Sequence, residues 1–164
     1  MVTSRGEESV KRTVSLLVAM GACLLAVAGT AGPAMASSPI KITAAYYDPV
    51  NGPDPATNAY RNKEFIVVRN SGVTAVNLGG WTLRDLARPT TPAHVYKFPT
   101  FKLGPGQSVR IHTGKGLNSA TDLYWGLTIY VWGDDSDTAT LKTPTGSTVS
   151  SCSWTTANSS PKFC

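Results

Sequence analysis

The sequence predicts an all-β sandwich preceded by a cleavable signal peptide, and three observations carry that prediction. Short β-patterned runs recur between Lys63 and Trp154, closed by turns rich in Gly, Asn and Pro. No stretch after the leader repeats with helical period. The N-terminus reads as an export address. Arg5, Lys11 and Arg12 precede an apolar run over 14–28, and Ala34-Met35-Ala36 offers small residues at a cleavage spacing. Residues 1–36 are therefore set aside as a signal peptide. Cleavage after Ala36 leaves 164 − 36 = 128 residues, one domain's worth of chain with enough core to fold alone.

The elements follow in order. Residues 40–47 (IKITAAYY) form a first strand. Residues 48–60 form a loop, because Pro49, Pro53 and Pro55 exclude a helix or a central strand. Residues 64–70 form a second strand with Ile66 and Val68 on one face and Phe65 and Val67 on the other. Apolar residues on both faces predict a central strand covered on both sides for part of its length. Ser71-Gly72 turns the chain. Strands at 75–78 and 81–85 flank a bend at Gly79-Gly80, and Trp81 and Leu83 are expected to point together into the core.

A proline-containing connection over 86–93 leads to a short strand at 94–98. Leu103-Gly104-Pro105-Gly106 is a turn before a strand at 108–113, with Val109 and Ile111 inward and Arg110 and His112 outward. Residues 114–122 are a loop, and 123–132 are aromatic-rich, strand or irregular. The last strands, 137–141 and 148–154, are joined through Pro144-Thr145-Gly146. A tail, 155–164, closes the chain.

Charge and cysteines narrow the function. The leader carries three basic and two acidic residues, so the mature net charge is (15 − 3) − (10 − 2) = +4. The basic residues are scattered singly, as solubility alone requires, although a weak cationic face for acidic wall polymers or nucleic acid is compatible with them. Cys23 leaves with the leader. Cys152 and Cys164 remain, without CxxC spacing or a neighbouring His, and an exported chain favours a disulfide between them.

Four stretches carry a family likeness: 64–72 (EFIVVRNSG), 77–85 (NLGGWTLRD), Phe98-Pro99 with 103–107 (LGPGQ), and 137–141 (DTATL) followed by Gly146. Their order and spacing resemble the lamin tail domain family. The resemblance implies an immunoglobulin-like β-sandwich over 37–154 that acts as an interaction module, with no shared catalytic residues to carry over. The 155–164 tail lies outside the matched pattern.

Candidate sites are few. Tyr124, Trp125 and Tyr130 are expected to offer exposed rings for binding, since adjacent strand residues point to opposite faces. Asp134, Asp135 and Asp137 are the clustered acids and a weak candidate for Ca2+. They lack the EF-hand glycine and glutamate and also read as a solvated turn. His94 reads as a strand-end residue and His112 as an exposed strand position. Glu64, the sole glutamate after the leader, reads as a cross-strand charge pair with Arg69 or Lys63 rather than an acid catalyst. Gly114-Lys115-Gly116 lacks the context of a phosphate loop. The expectation is a secreted, non-catalytic module recognising a protein or a cell-envelope polymer, needing no cofactor and not inserted in a membrane after cleavage. Extracellular nucleic-acid binding is the alternative.

Overall fold

The computed structural model describes residues 38–48 and 53–164. The predicted signal peptide and part of the 48–60 loop lie outside the described residues. The rest is nearly all β, as an immunoglobulin-like sandwich requires.

The strands are β1 (Ile40–Tyr46), β2 (Phe65–Asn70), β3 (Val76–Asn77), β4 (Thr82–Arg84), β5 (Val95–Lys97), β6 (Lys102–Leu103), β7 (Ser108–His112), β8 (Asp122–Tyr124), β9 (Ser136–Lys142), β10 (Thr148–Thr155) and β11 (Lys162–Phe163). One sheet has five strands in the order β11-β1-β2-β7-β8; another has four, β10-β9-β4-β5; β3 and β6 form a two-stranded ribbon. The pairings are antiparallel except β7 with β8, which run parallel. A bulge between Ile42 and Ala44 shifts the register of β1 against β2.

Strand alternation builds the core. Ile66 and Val68 of β2, Val109 and Ile111 of β7, Leu83 of β4, and Ala139 and Leu141 of β9 are all buried in one cluster between the two larger sheets. β2 is central in its sheet, as its sequence predicts, and Phe65 and Val67 on its second face are half-buried. Trp81 is only partly buried against the core, whereas Leu83 is fully enclosed. Gly80 has φ +80°, the left-handed turn expected of the Gly79-Gly80 bend.

Inside, a chain of rings joins the sheets. Tyr47 stacks on Trp154 at 4.6 Å, Trp154 meets Trp132 at 6.0 Å, Trp132 meets Trp125 at 6.0 Å, and Trp125 meets Tyr96 at 5.7 Å. These distances lie in the range where aromatic pairs attract beyond simple burial.

Two expectations need correction. The 48–60 loop contains a one-turn helix, α1 (Asn58–Arg61), capped by Thr57, whose hydroxyl accepts the Tyr60 N–H at 3.4 Å. The prolines end at Pro55, so the helix begins where they no longer remove donors. The 155–164 tail is part of the sandwich. β11 pairs with the edge of β1, Cys164 donates its N–H to the Thr43 carbonyl at 3.0 Å, and Cys164 is disulfide-bonded to Cys152 of β10. The tail thus ties the edge of one sheet to a strand of the other.

Candidate functional site

The site is the outer face of the five-stranded sheet, and register assembles it. Tyr46 lies opposite Phe65, Phe65 opposite His112, and His112 beside Tyr124 across β1, β2, β7 and β8. Their rings form one continuous row, with centroids 4.2, 5.0 and 4.9 Å apart. The end pairs are stacked, at 19° and 18°, so these rings turn their faces towards one another. The backbone of Gly116 lies against the Tyr124 ring, where a Cβ would collide with it.

Beside that row runs a second, in which Phe163, Ala44, Val67, Arg110 and Asp122 are successive cross-strand partners. Phe163 is 70% exposed. A third row sets Lys41 directly opposite Arg69, and Arg69 opposite Ser108. Like charges opposed across two strands repel, and no described carboxylate bridges them. Tyr46, Phe65 and Arg110 border two grooves of about 480 and 350 Å³ on this face; Lys63, Asp48, Asn62 and Ser160 line the first, and Val67, Ser108 and Thr121 the second. Lys63 is held with its ammonium 4.0 Å from the centre of the Tyr60 ring.

Arg110 and His112 hold Asp122 in place. The Arg110 Nε lies 2.7 Å and the His112 Nε2 2.9 Å from Asp122 Oδ1. Burial alone would raise the Asp122 pKa. Hydrogen bonds from Thr121, His112 and Arg110, with the Arg110 charge, outweigh it and hold the carboxyl at about 2. His112 is therefore not an exposed strand residue. It is buried, with Nδ1 2.7 Å from the Asn62 carbonyl, because the end of α1 folds over that part of the sheet.

Glu64 also departs from its expected role. It is fully buried and pairs with neither Arg69 nor Lys63. Its carboxyl accepts the Trp132 N–H at 2.6 Å and the Val131 N–H at 3.2 Å, which pins the 125–135 segment onto the sandwich. Desolvation, opposed first by the Thr113 hydroxyl and then by the Trp132 and Val131 N–H groups, pushes its pKa up to about 8.

The aromatic candidates have different partners. Tyr124 belongs to the outer row, Trp125 packs inward on Trp132 and Tyr96, and the Tyr130 hydroxyl donates to the Pro55 carbonyl at 2.8 Å. The chain does not bring all three together. Nor do the acids act as a set. Asp137 is buried, accepting the Leu86 and Thr138 N–H groups on Oδ1 and the Gly133 N–H on Oδ2, the turn-capping role. Asp134 and Asp135 instead line a cleft of about 490 Å³ with Tyr47, Asp48, Thr156, Asn158, Ser159 and Ser160. Burial first, then the charges of Asp54, Asp48 and Asp135, raise Asp134 to about 6. Among the described residues no group of three His, Cys, Asp or Glu side chains is placed to hold a metal ion.

His94 takes its place from Asp85. The carboxylate accepts the His94 backbone N–H at 2.6 Å and lies 2.8 Å from the ring Nδ1, fixing the entry to β5.

A two-sheet sandwich with a half-exposed, ring-lined sheet face fits an immunoglobulin-like module. The chain matches the Lamin Tail Domain family over residues 33–156 and belongs to that family. Its members are non-catalytic, immunoglobulin-like modules often involved in binding. No curated protein matches the chain.

Proposed function

We propose that this protein is a secreted, non-catalytic binding module that recognises a protein or a cell-envelope polymer through the outer face of its five-stranded sheet. One observation carries the reading: three cross-strand rows place Tyr46, Phe65, Tyr124, Val67 and Phe163 beside Lys41, Arg69 and Arg110 on one sheet face. Half-exposed aromatic side chains beside exposed arginines, in such density, are typical of recognition surfaces. The export reading rests on the basic start, the apolar run and Ala34-Met35-Ala36.

The full chain expressed in an exporting bacterial host should appear in the medium with its N-terminus at Ser37. Retention of only full-length protein inside the cells would defeat the export reading. The secreted protein should be captured by envelope or extracellular material, and a Val67→Asp, Phe163→Asp variant should lose that capture while still unfolding cooperatively, at a melting temperature lowered by the charge on half-buried Val67. Undiminished capture by that variant would place the binding surface elsewhere.

A further inference from the structure

We propose that the outer sheet face takes a linear polymer of polyol phosphates, laid along β2 with its phosphates on Lys63, Arg110, Arg69 and Lys41. This inference rests on the binding reading above and names the ligand class of that site.

The cations are laid out along a line. Lys63, Phe65, Val67 and Arg69 alternate along one edge-to-edge track of the chain, Arg110 stands opposite Val67, and Lys41 opposite Arg69. At the rise of an extended strand, Phe65 and Arg69 are separated by roughly 13 Å, with Arg110 opposite Val67 between them and Lys63 in the turn that precedes the strand. The Lys63 ammonium is steadied by Tyr60, and the Arg110 guanidinium is oriented by Asp122 while 49% exposed. Two carboxylates border the face. Asp122 is committed to Arg110 and His112, and Asp48 sits at the rim of the Lys63 groove. The Lys41–Arg69 pair is the strongest pointer. Two opposed cations cost stability in the free protein, and an anion bound between them would relieve that repulsion.

The rings decide between phosphate polymers. Single-stranded nucleic acid gains about 1–3 kcal/mol per base by stacking on open aromatic faces. Here Tyr46 and Phe65 turn one face to each other, as do His112 and Tyr124, and the Gly116 backbone lies close to the Tyr124 ring, so few faces are left for bases. A polymer without bases loses nothing by this. Its carbon skeleton can lie along the apolar ridge of Tyr46, Phe65 and Val67 while its phosphates meet the cations.

The test titrates the secreted protein with poly(glycerol phosphate), with neutral dextran, and with a mixed-sequence single-stranded oligonucleotide, each over a range of salt. Poly(glycerol phosphate) should bind, dextran should not, and the oligonucleotide should bind more weakly. For three to four phosphates contacted by a flexible strand, log K should fall against log salt with a slope of about −2 to −3. Lys41→Gln with Arg69→Gln should weaken binding at least tenfold, while Lys97→Gln with Lys102→Gln, an equal charge change outside this face, should leave it within twofold. Equal loss in both variants would reduce the effect to net charge and overturn the proposal. So would no binding of poly(glycerol phosphate) at low salt, or tighter binding of the oligonucleotide. If capture by envelope material still depends on Val67 and Phe163 in that case, the ligand class fails and the binding face stands.

Discussion

A carboxyl group buried without a cation is best accommodated if it keeps its proton, and Glu64 is such a group. The folded state holds its proton up to about pH 8, whereas the unfolded chain releases it near the usual 4.5. Between those values unfolding releases a proton. Its contribution to stability is fully present below about 4.5, falls as pH rises towards about 8, and is level beyond. The slope reaches as much as about 1.4 kcal/mol per pH unit for one proton. Asp134, also raised, to about 6, adds a loss of the same sign over a narrower window. Glu64→Gln keeps a carbonyl acceptor for the Val131 and Trp132 N–H groups but removes the titration. Urea unfolding at pH 5 and 8 should show the wild type losing stability on the rise in pH and the variant losing far less. Equal losses would mean that Glu64 is ionised in the folded protein. Asp122 runs the other way. With its pKa held at about 2, below the usual 3.8, it contributes stability above that value and loses it as pH falls through the folded one. Asp122→Asn should therefore flatten the acid limb of the stability curve, which acid titration of the melting temperature would reveal.

The family match ends at residue 156, and β11 lies beyond it. β1 would otherwise be an edge strand with unpaired backbone groups, open to pairing with another chain. Instead β11 covers it, the Ser160 hydroxyl accepts the Tyr47 and Asp48 N–H groups at 3.2 Å each, and the Tyr47 hydroxyl donates to the Asn158 carbonyl at 3.1 Å. The disulfide closes a loop of 12 residues in sequence separation. Removing such a cross-link costs about 3 kcal/mol in the chain-entropy model. Cys152→Ser with Cys164→Ser should lower the urea midpoint accordingly. It should also speed amide exchange at Cys164 and in β1, where β11 protects the edge. A midpoint equal to wild type would show that strand pairing alone holds the tail. The disulfide pair is legible in the sequence from the expected export and the cysteine count. The strand was not, since Lys162 and Phe163 carry no alternation of their own and gain their conformation from β1, more than a hundred residues earlier.

The whole molecule is organised by two rows of rings. Strand periodicity and turn chemistry revealed the sandwich, the central place of β2 and the Gly80 bend, because those signals are local. Both rows escaped a reading of the sequence for the opposite reason. Tyr46, Phe65, His112 and Tyr124 meet only through four strands in one register, and Glu64 is buried only because Val131 and Trp132 return to it. The rows differ in depth, and stability should divide between them. Trp154 stands in the inner chain, buried, stacked on Tyr47, touching Trp132, and donating its indole N–H to the Gly133 carbonyl at 2.8 Å. It belongs to the four-stranded sheet, whereas Tyr47 directly follows β1 of the five-stranded one. Trp154→Ala should remove about 3–5 kcal/mol, the cost of emptying a large buried site. Because that site lies between both sheets, far-ultraviolet circular dichroism and the fluorescence of the remaining tryptophans should shift together to the same lower midpoint. Phe163→Ala, on the outer face, should change the unfolding free energy by no more than about 0.5 kcal/mol. Separate transitions for the two probes in Trp154→Ala would show that each sheet holds its own core. A Phe163 loss as large as that of Trp154 would mean that the outer face is part of the folding core, leaving its rings no freedom to serve as a recognition surface.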